Sequence, residues 1–231
     1  MKLSIPGIFL FFLALTTLCC NPISRIARGT EIVNDHSDTI QHLLIFPTYA
    51  HIDIIENRDQ GNNNEKLSQQ ATKEIYNQVS EFLPATLNKH FLQNDPLVME
   101  SIAGEGHRLI KSLRKSFNPK TAKVPDYLLQ VLDAQNRDYG LLLVQVGFTR
   151  THDNMVKETL RRETQDFRTL GIYQVRPYSS YSAMYGFLID RKKQRVIRYK
   201  ELRWPNKEPN DKYIIRTQVR DIILTSFRLG N

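Results

Sequence analysis

The chain has 231 residues, of which 32 are lysine or arginine and 24 are aspartate or glutamate, giving a formal net charge of +8. Both of its cysteines lie within the first twenty residues, which excludes an internal disulfide framework or thiol chemistry in the rest of the chain. Residues 150–231 hold 18 basic against 9 acidic residues, but no nucleic-acid motif accompanies them, so we expect no nucleic-acid partner.

The first twenty residues have the form of a secretory signal peptide. A cationic start at Lys2 leads into the apolar run Ile8–Leu15, which ends at the pair Cys19 and Cys20. The run is too short to span a bilayer comfortably, since a spanning helix needs about 20 apolar residues. Residues 1–20 are therefore predicted to be a leader that directs export and is then removed.

A cysteine at the end of an apolar leader resembles the lipobox of bacterial lipoproteins, which implies acylation of that cysteine, palmitate included, and attachment to the membrane. Cys20 is the favoured acceptor because small Cys19 precedes it, whereas Cys19 follows the bulky Leu18; Cys19 is the alternative. In a host that resembles the enteric bacteria, Asn21 is not the aspartate associated with inner-membrane retention, so an outer-membrane lipoprotein facing the periplasm or the surface is expected. An ordinary signal peptide, leaving a soluble periplasmic or secreted protein, and an uncleaved anchor remain open.

The next part of the chain changes from polar to apolar. Residues 21–38 are polar and aperiodic and are predicted to be a tether, with a single domain over residues 39–231. The apolar run 42–47 predicts a buried first strand and residues 51–55 a short second one. The Gly/Asn-rich segment 58–64 predicts a loop.

Three helices are predicted from apolar residues at helical spacing. The first is an amphipathic helix whose stripe is formed by Leu67, Ala71, Ile75, Val79 and Phe82. Pro84 bends or ends it, although Leu87 and Phe91 could extend the stripe. A second helix fits residues 102–117, and a short third helix fits residues 127–132.

The strongest strand signal is the nearly uninterrupted apolar run 141–148, which is typical of a strand covered on both faces. Residues 152–168 are highly charged and predict an exposed helix or excursion. Residues 171–176, 181–190 and 195–202 then predict consecutive strands, the last two forming an antiparallel hairpin. The segment after Asn210 and Asp211 predicts a terminal helix whose apolar residues share one face.

These elements predict an α+β or α/β fold, in which a central mixed sheet with an antiparallel C-terminal meander is packed by amphipathic helices. The early strand ending at Pro47, the buried strand 139–146 and the hairpin 187–196 resemble an α/β module of exported bacterial lipoproteins. That module is similar to the N-terminal domain of TolB and to domains of curli-secretion lipoproteins. The resemblance spans roughly residues 40–228 and implies an envelope lipoprotein.

Motifs of catalysis and metal binding are absent from the sequence, which has no Gly-x-Ser-x-Gly, no HExxH, no phosphate-binding glycine loop and no zinc spacing. His51 and Asp53 beside Tyr49 form the one compact polar group at a predicted strand end. Gly104–His107 predicts a turn or a helix start. We therefore predict no catalytic residue, no metal and no cofactor.

The most suggestive group of residues combines tyrosine and arginine, which are enriched at binding hot spots. The predicted interaction surface consists of Tyr173, Arg176, Tyr178, Tyr181, Tyr185, Arg198, Tyr199 and Arg203. The alternative is that alternate tyrosines merely cover a sheet face.

Two hypotheses follow from the sequence. The first is a noncatalytic, lipid-anchored envelope protein that binds another envelope protein or assembles with itself. The second is an exported hydrolase or envelope-polymer-modifying enzyme whose residues converge only in space. A deep pocket lined by histidines or carboxylates would favour the enzyme, and a sheet face rich in tyrosine and arginine would favour the binding protein.

Overall fold

A mixed sheet forms the centre of the molecule. The computed structural model describes residues 26–28, 40, 42–92, 96–116, 123–169 and 176–227. Within those ranges the strands are β1 (Ile26–Arg28), β2 (Leu43–Ile45), β3 (Tyr49–Asn57), β4 (Gln60–Asn63), β5 (Lys89–Phe91), β6 (Tyr139–Arg150), β7 (Ser180–Asp190) and β8 (Arg195–Pro205). The helices described are α1 (Glu65–Phe82), α2 (Pro96–Ser116), α3 (Asp126–Ala134), α4 (His152–Arg168) and α5 (Lys212–Phe227).

Strand β6 organises the sheet. It pairs antiparallel with β7, which pairs antiparallel with β8, so the predicted C-terminal meander is confirmed. On its other side β6 pairs in parallel with both β2 and β3, which lie one after the other along its length. Strand β5 extends the sheet beyond β2, β4 pairs with β3, and β1 pairs with β8. The predicted mixed α/β class is therefore confirmed.

Helices cover the sheet on both faces and divide the core in two. Helices α1 and α5 pack on one face, here called the α1 face, against residues such as Leu141, Leu143 and Met184. Helices α2 and α3 pack on the other, here called the α2 face, against Leu142 and Val144. Because successive residues of a strand point to opposite faces, the apolar run of β6 serves both cores.

Local sequence signals set the ends of helix α1. Asn64 precedes the helix with an extended backbone, and its side-chain oxygen accepts a hydrogen bond of 2.9 Å from the backbone N–H of Leu67. The helix ends at Phe82, two residues before Pro84, because the residue before a proline is disfavoured in helical conformation. Helix α1 also provides a hydrogen-bond acceptor to a backbone group at the edge of β3. Ser68 Oγ accepts a hydrogen bond from the backbone N–H of Ile52 at 3.0 Å.

Helix α5 approaches the sheet most closely at a glycine. A β-carbon added to Gly186 in β7 would lie 2.2 Å from Cγ2 of Ile222 in α5, far inside contact distance. Ile222 is itself fully buried. The absence of a side chain at Gly186 therefore sets the distance between this helix and the sheet.

Two sequence predictions about short segments are wrong. The segment 58–64 is not simply a loop: a turn at Arg58 and Asp59 leads into β4, whose four residues are exposed and polar. Phe91 does not extend the first helical stripe but ends β5, an edge strand parallel to β2. Both strands are too short to show an alternating apolar pattern.

Other sequence predictions concern parts of the chain that the structure describes only partly. Within the predicted tether 21–38, residues 26–28 form strand β1 and pair with β8. In the predicted strand 171–176, Arg176 is not in a strand, and residues 171–175 lie outside the described residues. The predicted leader, with Cys19 and Cys20, lies outside them as well.

Candidate functional site

The predicted tyrosine–arginine surface is only partly assembled by the fold. Tyr181, Tyr185, Tyr199 and Arg203 lie on the α2 face of β7 and β8, where odd-numbered residues of the two strands are in register. Tyr185 is fully buried and so belongs to the core, contrary to its predicted place on a surface. Tyr181, Tyr199 and Arg203 remain partly exposed.

The other predicted residues lie elsewhere. Arg198 lies on the opposite side of β8, where its guanidinium donates to the backbone carbonyl of Ser226 in α5. Arg176 and Tyr178 are exposed in the segment before β7, and Tyr173 lies outside the described residues. Arg198 is therefore not part of a common surface with Tyr199, its neighbour in the strand.

A residue missing from the prediction, Glu201, organises the group on β8. Its carboxylate accepts a hydrogen bond of 2.9 Å from the Tyr199 hydroxyl and forms an ion pair with Arg203, and the Glu201 side chain is only 7% exposed. The three residues alternate along one strand, which places them on one face. That alternation is a signal the sequence carries, because Tyr199-x-Glu201-x-Arg203 has the period of a strand.

The environment of this group fixes its protonation. Burial, followed by the negative charge of Glu201, raises the pKa of Tyr199 well above its ordinary value. Burial alone would lower the pKa of Arg203, but the hydrogen bond and charge of Glu201 outweigh it and raise that pKa. Tyr199 is therefore a neutral hydroxyl and Arg203 a permanent cation, and neither supplies a base for catalysis near neutral pH.

The same face continues across the sheet to β3. Cross-strand partners in register share a face, so the pairing aligns three rows of side chains that run from β3 to β8. The rows are Tyr49, Val144, Tyr185 and Glu201; His51, Val146, Ala183 and Arg203; and Asp53, Phe148, Tyr181 and Pro205. The predicted polar group on β3 and the predicted tyrosine–arginine group thus lie on the same face of the sheet, and the part of it that α2 leaves uncovered is here called the open sheet face.

Helix α2 covers the first of these rows and reaches the second, where Ala183 is fully buried and His107 meets the ring of His51. A β-carbon on Gly106 would lie 2.8 Å from Cγ2 of Val144, so the helix packs closely on the sheet at that point. Further along the strands, Val146, Phe148 and Tyr181 are partly exposed. The open sheet face therefore begins where helix α2 leaves the sheet.

At the β3 end of this face, His51 links two polar side chains. Its Nε2 lies 3.0 Å from Oδ1 of Asp53, and its Nδ1 lies 3.3 Å from the hydroxyl of Tyr49. The ring of His107 on α2 meets the His51 ring edge-on at a centroid distance of 6.3 Å. The two histidine-containing segments that stand apart in the sequence, 49–53 and 104–107, are thus brought together.

The chemistry available to this cluster is limited by its hydrogen bonds. Both ring nitrogens of His51 are engaged, one by Asp53 and one by Tyr49. Burial and then the charge of Asp53 raise the pKa of Tyr49, which keeps its phenol protonated. Among the described residues, no group of three or more histidine, cysteine, aspartate or glutamate side chains has the arrangement to hold a metal ion. With its phenol protonated, Tyr49 is a hydrogen-bond donor and not a nucleophile in this cluster.

Aromatic side chains form the middle of the open sheet face. The rings of Phe148 and Tyr181 stack with a centroid distance of 5.8 Å and an interplanar angle of 19°. They lie between the histidine cluster on β3 and the ion pair on β8. A flat aromatic centre with a polar rim has the composition of a protein-binding surface.

Comparison with known proteins gives distant likenesses. No protein-family model matches the chain, and no curated protein matches it. A PelC dodecamer from Paraburkholderia phytofirmans matches at 8% identity with a TM-score of 0.43, over 90% of this chain and 100% of that one. A dodecamer of a PelC point variant from the same organism matches at 7% identity with a TM-score of 0.39, over 87% of this chain and 97% of that one.

A third solved structure, a Xanthomonas campestris protein of family DUF330, matches at 8% identity with a TM-score of 0.28, over 83% of this chain and 91% of that one. At these identities and TM-scores the likenesses assign neither a family nor a function to this chain. The resemblance to the TolB-like module stays a prediction. None of the helices in the described ranges has both the length and the hydropathy to cross a bilayer.

Proposed function

We propose that this chain is an exported, lipid-anchored protein of the bacterial envelope that binds another envelope protein or a second copy of itself and does not act as an enzyme. One observation carries the proposal: the only two cysteines of the chain stand together at the end of an apolar leader. A cysteine pair used there and nowhere else is easier to explain as a lipid acceptor than as a redox motif.

The open sheet face supports the binding part of the proposal. It offers stacked aromatic rings, a protonated tyrosine and an arginine whose charge is balanced by Glu201. Tyrosine and arginine in such settings dominate the energetics of many protein interfaces. The proposed location is the outer membrane, with residues 1–19 removed and the α/β domain held by acyl chains on Cys20.

Intact-mass measurement of the protein purified from its native membrane tests the anchor. We expect a chain that begins at Cys20 and is heavier than its sequence by the mass of the acyl chains. Cys20→Ala should abolish both the cleavage at this site and the added mass, because alanine has no thiol to acylate.

Cys19→Ala is the matched control, since it changes the neighbouring cysteine and keeps a small residue before Cys20. We expect it to retain the full acylated mass. If Cys19→Ala loses the lipid and Cys20→Ala keeps it, Cys19 is the acceptor. An unmodified chain that begins at another residue would contradict the proposal and identify a soluble periplasmic or secreted protein.

The alternative function, an exported hydrolase or envelope-polymer-modifying enzyme, is favoured by one observation, the linked side chains of Tyr49, His51 and Asp53 beside His107. Histidine held by a carboxylate is a recurring part of hydrolytic sites. The raised pKa of Tyr49 makes its hydroxyl a weak nucleophile, which argues against that role here.

Assay of the purified protein on chromogenic esters and glycosides separates the two functions. We expect no hydrolysis above that of a His51→Ala variant. His107→Ala is a useful companion because it removes the neighbouring ring and leaves the bonds of His51 to Asp53 and Tyr49 in place. Hydrolysis that the wild type shows and His51→Ala lacks would establish the enzyme instead.

A further inference from the structure

Helix α4 turns its apolar side away from the protein. Asn154 and Glu158 are its buried residues, with exposures of 1% and 3%. Val156, Leu160 and Phe167, which are four and seven residues apart and so share one side of the helix, are 44%, 59% and 86% exposed. A helix that packs on its own domain normally buries the apolar side, so this stripe has no partner within the described part of the chain.

Buried polar contacts hold the helix in this orientation. Oδ1 of Asn154 accepts a hydrogen bond of 2.8 Å from Arg150, and its Nδ2 donates to the backbone carbonyl of Arg58 at 3.1 Å. Glu158 accepts two hydrogen bonds from Arg161, at 2.7 and 3.0 Å. The exposure of the apolar stripe is therefore built into the packing of α4 against the β3–β4 turn.

The stripe lies at one particular end of the sheet. Helix α4 follows directly after β6, and the register places the last residues of β3 and β6 beside the first residue of β7 and the last residue of β8. Two more of the exposed large apolar residues, Tyr178 before β7 and Tyr213 at the start of α5, lie at this same end. Exposed apolar side chains are thus concentrated here, whereas single exposed ones elsewhere are common on any protein surface.

The N-terminal segment leads to the same end. Strand β1 runs antiparallel to β8 with Ile26 opposite Arg203, so the N-terminal end of β1 points toward the end of β8 at Pro205. Six residue steps separate Cys20 from Ile26 in the sequence. Even fully extended, six residues span only about 20 Å, so an anchor on Cys20 would hold this end of the sheet close to the membrane.

The composition of the stripe suits a lipid surface. Each of the three apolar residues is followed directly by an exposed basic one, namely Lys157, Arg161 and Arg168, of which Arg161 is already paired with Glu158. Interfacial helices place leucine and phenylalanine among the acyl chains while lysine and arginine extend to the head groups. From Val156 to Phe167 the stripe is about 16 Å long, enough for a helix that lies in the plane of the interface.

We propose that helix α4 lies on the bilayer that carries the lipid anchor, with Val156, Leu160 and Phe167 inserted below the phospholipid head groups. This inference rests on the proposed function, since the anchor on Cys20 brings the end of the sheet to the membrane. Contact at a second point fixes the orientation of the domain, with α4 and Tyr213 toward the lipid and the β7–β8 turn at residues 191–194 away from it.

Single labelled cysteines test this orientation, because the described part of the chain contains no cysteine of its own. The acylated protein with Leu160→Cys or Phe167→Cys is purified from its membrane, and the introduced cysteine is labelled with an environment-sensitive fluorophore. Lys192→Cys in the β7–β8 turn is the matched control: Lys192 is also exposed but lies at the opposite end of the sheet. Each protein is reconstituted into phospholipid vesicles containing one anionic lipid and brominated acyl chains, and its flotation and fluorescence are measured.

We expect all three proteins to float with the vesicles, with bromine quenching at positions 160 and 167 and none at 192. If the protein floats but the label at position 160 is quenched no more than the label at 192, this inference is overturned and the proposed anchor stands. A label at 160 shielded from both brominated lipid and aqueous iodide also overturns it, because another protein then covers the stripe. Failure to float contradicts both the inference and the proposed anchor.

Discussion

Ile222→Ala is expected to lower the free energy of unfolding by about 2–5 kcal/mol, the cost of truncating a fully buried isoleucine and leaving a cavity. Ile222 is completely buried between α5 and β7 and packs directly over Gly186. Chemical denaturation monitored by circular dichroism measures the loss. A change within experimental error would mean that α5 does not pack on the sheet as described.

Gly186→Ala provides the matched test of the same contact from the sheet side. With Ile222 present, the new methyl has no room, and we expect a loss of about 1–3 kcal/mol from overpacking. In the Ile222→Ala background the methyl instead fills part of the vacated space. The double variant should therefore lose less unfolding free energy than the two single variants lose together. Losses that simply add would contradict the contact.

Arg150→Ala is expected to cost about 3 kcal/mol, since it removes charge-assisted hydrogen bonds from a buried guanidinium and leaves their acceptors unpaired. The Arg150 side chain is 6% exposed and donates to Asp59 at 2.6 Å, to Asn154 at 2.8 Å, and to the backbone carbonyls of Arg58 and Tyr178 at 2.8 and 2.9 Å. It joins the end of β6 to the β3–β4 turn, to α4 and to the segment before β7. Faster hydrogen exchange in α4 should accompany the loss of stability.

Arg150→Lys is the control that keeps the positive charge but not the forked geometry, so its loss of stability should be smaller. A pH titration gives a second readout. The hydrogen bond from Arg150 holds the pKa of Asp59 below its ordinary value, so the stabilisation is present above about pH 4 and is lost as the pH falls through the lowered pKa. Arg150→Ala should lose this part of the acid dependence, and an unchanged profile would contradict the pairing.

The long apolar elements were predictable from the sequence. Strand β6 is confirmed because its apolar run is long and nearly uninterrupted. The β7–β8 hairpin and helices α1, α2 and α5 are confirmed because their patterns extend over many residues. Strands β1, β4 and β5 were not predicted, since three or four residues are too few to show a period and their pairing partners are distant in sequence. Helix α4 is confirmed as a charged helix, but nothing in its composition shows which side is exposed.

The open sheet face could be predicted in part. Alternation along β8 could have separated Arg198 from Tyr199 and joined Glu201 to Arg203, because neighbours in a strand point to opposite faces. The burial of Tyr185 could not be predicted from the sequence, since it depends on how far α2 extends over the sheet. The meeting of His51 with His107 depends on the close packing at Gly106, a tertiary contact between residues 56 positions apart in the sequence (107 − 51).

The pairing of β1 with β8 joins the two ends of the chain. Arg28 and Glu201 are register partners although 173 positions separate them in sequence (201 − 28). Strand β1 is synthesised long before β8 and has no partner until nearly the whole chain has been made. Once paired, β1 covers the edge of β8, which would otherwise present unpaired backbone groups to another chain. A shortened protein that begins after residue 28 would uncover the same edge permanently. Such truncation, made to obtain a soluble domain, would favour aggregation through β8, whereas a chain that begins just after Cys20 would keep the edge closed.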